Sequence, residues 1–229
     1  MSIEKNIEKL KNSVATAADK SGREPEDITL MAVTKNHGID SVLHASAAGI
    51  TCFGENRVQE AIGKYQEIPE AEYLHLIGHL QSNKAAKAVD LFSWIDTVDS
   101  IKLLQKINNS AEKLDKIIQV LIEVNGSGES AKFGFESEAD VFSAIEVSRS
   151  LPHICVRGFM TMGPLGADEE SVRNVFRSLK TTFDESQTRF ADLQIDTLSM
   201  GMSGDWKIAV EEGSTLIRVG TTIFGTREY

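Results

Sequence analysis

Lys35 closes a run of apolar and β-branched residues, ITLMAVTK (28–35). A primary amine held at the rim of a core is desolvated, which frees it as a nucleophile toward a carbonyl carbon. A lysine that snorkels into solvent gains no such character. Two later stretches offer the other half of a site. SMGMSGD (199–205) is small-residue backbone entering a helix, and RVGTT (218–222) is a glycine-led turn carrying two hydroxyls beside Arg218. Free N–H groups at a helix start suit an anion such as phosphate, although either stretch could be an ordinary tight turn. Amine, anion cup and arginine form one site only if the fold brings residues 35, 203 and 218 together.

The hydrophobic pattern predicts such a fold. Ile3, Ile7, Leu10, Val14 and Ala17/Ala18 are spaced as one face of a helix over 3–20, ended by Gly22 and Pro25. Apolar runs predict strands at 28–35, 51–53, 73–77, 93–98, 117–124, within 153–162, at 197–200 and at 215–219. Helical segments between them are expected at 39–49, 55–68, 82–89, 99–114, 138–150, 167–192 and 205–212, and only a short tail after the last strand. Regular β/α alternation implies parallel strands joined by crossover helices. Eight such units in 229 residues, with no internal linker, predict one (β/α)8 TIM barrel over 1–229 with an extra N-terminal helix. An open doubly wound sheet is the alternative. In a closed barrel the strand C-termini carry the site, strand eight neighbours strand one, and the loops after strands seven and eight most often hold phosphate.

Lys35 would then face the reactive end of an anionic ligand. A lysine, a phosphate cup and an arginine suit a Schiff base to a phosphorylated aldehyde, pyridoxal 5'-phosphate being the first candidate. Arg218 facing the pyridine nitrogen would keep it unprotonated and weaken the ring as an electron sink. A Schiff-base aldolase acting on a sugar phosphate would use the same lysine and cup without a cofactor. The balance of 24 basic and 34 acidic residues, net −10, argues against binding along a nucleic-acid backbone. Cys52 and Cys155 form no metal-ligand spacing and read as reduced core thiols of a cytosolic protein. No signal-peptide pattern or membrane-length apolar run is present, so the expected location is cytoplasmic. His75 and His79, placed on and at the end of a strand, are not expected to share a metal, although His79 could touch ligand. NGSGESAKFGF (125–135) suggests a lid, with Lys132 a surface charge. Trp94 and Trp206 read as packing residues, and Asp168 to Ser171 as a helix cap.

Six stretches in order, AVTK (32–35), FGENRVQE (53–60), HLIGHLQSNK (75–84), RGFMTM (157–162), LSMGMSGD (198–205) and IRVGTTIFG (217–225), resemble the pyridoxal-phosphate homeostasis protein family. These are single-domain relatives of the alanine racemase N-terminal barrel, and the resemblance covers nearly the whole chain. It implies a fold-type-III barrel with pyridoxal 5'-phosphate as a Schiff base on Lys35. By motif match, Ser203, Gly220 and Thr221 bind phosphate, Arg218 contacts the pyridine nitrogen and Asn56 lies near the ring, with Met200 and Gly201 further cofactor residues. The implied role is buffering and delivery of the cofactor in vitamin B6 and amino-acid homeostasis, possible partners being pyridoxal-phosphate-dependent apoenzymes. Racemases of this type carry a second domain that supplies an opposite-face base. Its absence here implies a monomer without efficient catalysis, the alternative being a weak racemase or related enzyme. Relatives often carry a proline after the lysine; here Asn36-His37-Gly38 follows, which leaves the shape of that turn open.

Overall fold

The computed structural model describes residues 2–65, 73–126 and 133–225. Eight parallel strands close in chain order into a barrel: β1 (Thr29–Val33), β2 (Cys52–Glu55), β3 (Tyr73–Leu76), β4 (Trp94–Val98), β5 (Ile118–Glu123), β6 (Ile154–Met160), β7 (Thr197–Ser199) and β8 (Leu216–Val219). The open-sheet alternative is thereby excluded. Closure is made by β1 and β8, where Met31 stands opposite Arg218 and Ala32 opposite Val219. Lys35, two residues beyond β1, therefore rises beside the turn that follows β8.

The helices are α1 (Ile3–Lys20), α2 (Ile39–Ala47), α3 (Val58–Tyr65), α4 (Ala85–Leu91), α5 (Ile101–Glu112), α6 (Glu138–Ser148), α7 (Glu169–Arg189), α8 (Trp206–Glu211) and α9 (Thr221–Phe224). The four longest, α1, α5, α6 and α7, place buried apolar residues behind a side-chain cap. Ser2, Ser100, Ser137 and Asp168 all accept a backbone N–H of the turn they open. In α1 the stripe Ile7, Leu10, Val14, Ala17 and Ala18 is buried as the spacing predicts. Full burial of a side chain of the larger kind contributes roughly 1.5–3 kcal/mol. This helix packs on α2, α8 and α9, and Asn6 Nδ2 donates to the Ile223 carbonyl at 2.8 Å. It thus braces the turn after β8 from outside the barrel.

Period-two alternation divides the strand side chains between two environments. Outward residues such as Ala32, Phe53, Ile95, Ile122, Phe159 and Ile217 meet the helices in one large apolar cluster. A separate small cluster holds Met31, Cys52 and Leu216, and a third Trp94, Leu121 and Met160. With them His75, Asp96, Glu123 and Arg218 are buried at 5% exposure or less. Four ionisable groups in a barrel of this kind are costly unless they serve one another or a ligand.

Three local expectations need correction. Glu55 is the last residue of β2, not the first of a helix, because its carboxylate is drawn inward by Thr34 and Lys64; α3 starts at Val58. The tail after β8 is the short helix α9, in which Gly220 is the cap. Cys155 is half-buried and therefore no core thiol, whereas Cys52 is buried; both are unbridged. The 66–68 end of the expected third helix, Lys132 and most of the expected lid lie outside the described residues.

Candidate functional site

The turn that presents Lys35 is fixed from both sides. Before it, Thr34 N donates to the Gly54 carbonyl at 3.0 Å and Thr34 Oγ1 to Glu55 Oε1 at 2.7 Å, with Tyr65 Oη 2.6 Å away. Lys64 Nζ donates to the Thr34 carbonyl at 2.9 Å, to Glu55 Oε1 at 2.8 Å and to Glu60 Oε1 at 2.9 Å. After Lys35, Asn36 is left-handed at φ 61°, its N–H donates to Glu60 Oε1, and His37 N closes the turn on the Thr34 carbonyl at 3.0 Å. Asparagine tolerates this conformation and proline cannot, since its φ is locked near −65°. Burial pushes the Glu55 carboxyl up, while the Lys64 ammonium and Thr34 hydroxyl hold it back. Lys35 itself is half-buried, with no hydrogen-bond or ion-pair partner among the described residues. The sequence reading missed this network. Its signal was present: Glu55, Glu60 and Lys64 lie in one stretch, the last two at the i, i+4 spacing of a helix face.

Across a cavity of about 270 Å³ from Lys35 stand Asn56, Ser203, Arg218, Gly220 and Thr221, so six of the eight expected cofactor residues line one space. Val33, Ile77, Met162 and Met202 form apolar walls, and His37, not expected from sequence, joins the rim, its ring 4.5 Å from Phe224. Met200 and Gly201 stand behind this wall. Met200 is wholly buried in the apolar cluster, and Gly201, at φ 93°, lies so close to α8 that a Cβ would come within 2.5 Å of Ala209. Their contribution is backbone: the Gly201 carbonyl accepts from Arg218 N at 3.0 Å.

Arg218 is buried, with Nη1 on Ser199 Oγ at 2.6 Å and Nη2 on the Thr161 carbonyl at 2.8 Å. Burial lowers its pKa, opposed by the charges of Asp96, Asp205 and Glu123. A guanidinium has five N–H donors, so part of its fork stays free toward the cavity. The hydroxyls of Ser203 and Thr221, and the N–H groups of Ser203 and Gly204, have no partner among the described residues. The N–H groups of Thr221 and Thr222, at the start of α9, likewise have no partner among the described residues, whereas those of Ile223 and Phe224 both bond to the Gly220 carbonyl at 2.9 Å. Gly220 sits tight against β1, where a Cβ would stand 3.2 Å from the Val33 carbonyl. Unpaired donors at one end, a buried cation at the other and a free amine at the side fit a phosphorylated pyridine aldehyde. These are the features an anion, an aromatic ring nitrogen and a carbonyl carbon require.

Glu123, at the end of β5, faces the same charge cluster. Burial pushes its carboxyl up to about 7, helped by Asp99 and opposed by Arg218, and Oε2 has no hydrogen-bond partner. An acid whose folded pKa exceeds its unfolded value of 4.5 adds stability below pH 4.5 and loses it as pH rises through about 7. Glu123→Gln should therefore flatten the pH dependence of urea unfolding between pH 5 and 8. At the alkaline end the gain should be up to about 3 kcal/mol. Parallel pH curves for the two proteins would contradict this assignment. His79 pairs with Asp99 at 3.3 Å and stacks on Phe133 at 3.7 Å, while His75 pairs with Asp96 inside the barrel. The two histidines thus serve different partners. Among the described residues no three His, Cys, Asp or Glu side chains are grouped to hold a metal.

Comparison with known proteins agrees with this geometry. The family model described as "Alanine racemase, N-terminal domain" matches residues 3–228. A pyridoxal phosphate homeostasis protein of Vibrio alginolyticus is 42% identical, the match covering 100% of this chain and 99% of that one. A crystal structure of an unknown protein from Bifidobacterium adolescentis superposes with a TM-score of 0.90 at 35% identity, over 97% and 94% of the two chains. PipY of Synechococcus elongatus, in a structure with PLP bound, gives a TM-score of 0.81 at 38% identity, over 93% of this chain and all of that one. With full-length relatives at this identity and a family model spanning nearly every residue, the chain belongs to the pyridoxal phosphate homeostasis protein family, built on the alanine racemase N-terminal barrel.

Proposed function

We propose that this protein binds pyridoxal 5'-phosphate at the C-terminal mouth of its barrel, covalently and reversibly through Lys35, and acts as an intracellular carrier that keeps the reactive aldehyde in custody. The observation that carries the reading is the convergence of the Lys35 amine, the Arg218 fork and the donors of Ser203 and Thr221 on one cavity. When bound, the cofactor supplies an aldehyde carbon for a primary amine and a ring that accepts electron density. The protein's own contributions divide by residue. Lys35 offers the amine, held in place by Thr34, Asn36 and the Lys64 network. Ser203, Gly204, Gly220 and Thr221 hold the phosphate by hydroxyl and backbone N–H. Arg218 donates a hydrogen bond to the ring nitrogen and, as a permanent cation, keeps that nitrogen unprotonated, which limits stabilisation of a carbanion. Asn56 and the Val33, Ile77, Met162 and Met202 walls orient the ring and exclude water.

Holding rather than turnover is favoured by that arginine pairing, and the full-length relatives carry the name of homeostasis proteins. The partners that fit such a role are pyridoxal-phosphate-dependent apoenzymes, served by a monomer in the cytoplasm. No helix among the described residues is long and apolar enough to cross a membrane. Borohydride reduction of the cofactor-loaded protein, followed by peptide mass analysis, tests the reading. The reduced pyridoxyl group should map to the peptide containing Lys35. Its appearance only on other lysines would overturn the assignment.

A further inference from the structure

The loop that offers its N–H groups to a phosphate also carries a negative charge. Asp205 opens α8, yet its side chain makes no cap bond to that helix. It turns back into the loop, where Oδ1 accepts from Met202 N at 2.5 Å. Asp205 N and Trp206 N both donate to the Met202 carbonyl, at 3.1 and 2.9 Å. These bonds close the turn and use the donors of Met202 and Asp205, while those of Ser203 and Gly204 stay unpaired among the described residues.

The carboxylate itself has no counter-charge. Oδ2 lies against the loop after β6, where a Cβ on Gly163 would come within 2.8 Å of it, and no cation pairs with Asp205 among the described residues. Lys9 and Lys207 line the groove behind the loop together with Asp205, but both are exposed. Glu169 and Glu211 in the same groove are held by Arg173. Hydrogen bonding does not call for the charge, since an asparagine or serine at 205 would also accept from Met202 N. What a carboxylate adds is repulsion of a second anion. An anion held by Ser203 and Gly204 sits one residue away, well inside the ~8 Å over which physiological salt screens charge. The two therefore oppose each other.

We propose that Asp205 is a tuning residue of the phosphate cup: its uncompensated carboxylate weakens the grip on a phosphate ester and so keeps the cofactor releasable. This rests on the cofactor reading above and adds what limits the hold. Asp205→Asn keeps the acceptor for Met202 N and removes the charge. Absorbance titration of the intact protein with pyridoxal 5'-phosphate should give a dissociation constant about tenfold lower for the variant. The same titration with pyridoxal, which has the aldehyde and ring but no phosphate, should give equal constants for the two proteins. An effect on loop shape or on Arg218 would instead move both ligands together. Unchanged or weaker binding of pyridoxal 5'-phosphate by folded Asp205→Asn, or an equal gain with pyridoxal, would overturn the proposal. Should Asp205→Asn fail to fold, Asp205→Ser is read by the same pair of titrations. Borohydride mapping of the unaltered protein tests the cofactor reading separately: a pyridoxyl group on Lys35 with no gain in the variants refutes this inference alone.

Discussion

Lys35→Ala is expected to abolish covalent retention of pyridoxal phosphate and to leave the fold intact. The loaded protein should be yellow and stay so through gel filtration; the variant should elute colourless. Lys35 is half-buried, makes no ion pair or hydrogen bond among the described residues, and stands on a turn whose bonds come from Thr34, Asn36 and His37. Removing its side chain therefore costs no structural interaction, and stability should change by less than about 0.5 kcal/mol. The non-covalent contacts proposed for Ser203, Thr221 and Arg218 would remain, so residual affinity should survive at about a hundredfold weaker dissociation constant, roughly 2.7 kcal/mol. Retention of colour by the variant would move the attachment to another amine. Loss of colour together with loss of fold would show that the lysine does structural work that the geometry does not reveal.

The second large effect concerns the buried network behind that turn. Lys64→Met should destabilise the protein by about 3–5 kcal/mol, because Glu55, at zero exposure, would keep its carboxylate without a cation. The Thr34 carbonyl would lose a donor in the same step. Pairing Lys64→Met with Glu55→Gln should recover much of the loss, since an amide needs no counter-charge; urea unfolding of the two single variants and the double variant measures that coupling. A loss below about 1 kcal/mol for Lys64→Met would mean that the pair is screened like a surface bridge. Because the network holds both residues flanking Lys35, the single variant should also retain cofactor poorly under conditions where it is still folded.

These two sites differ in how readable they were. Lys35 was visible because a charge at the end of an apolar β-branched run breaks a pattern, and the turns at Ser203 and Gly220 because small residues there free backbone donors. Strand and helix bounds followed from periodicity, as with β5, expected over 117–124 and found over Ile118–Glu123. Lys64 broke no pattern. A lysine on an amphipathic helix reads as solvated, and only the packing of α3 over β1 and β2 turns its side chain inward. Met200 and Gly201 show the opposite: they lie in the same loop as Ser203, but the Met200 side chain is buried in the apolar cluster and Gly201 packs against α8, so neither lines the cavity.

The sequence by itself determined the barrel and the order of its units, and singled out the amine, the small-residue turns and the arginine proposed for the site, because each depends on residues close together in the chain or on an alternation that repeats along it. Barrel closure decided the rest. It set Met31 against Arg218 and so put Lys35 within reach of residues nearly two hundred positions later. It also enclosed His75, Asp96, Glu123 and Arg218 together. Each is a lone charge on its own strand, and period-two alternation alone does not distinguish an interior charge from a solvated one. Which of those charges meet is a property of the closed ring, where side chains from separate strands share a space too small and too dry for water to screen them.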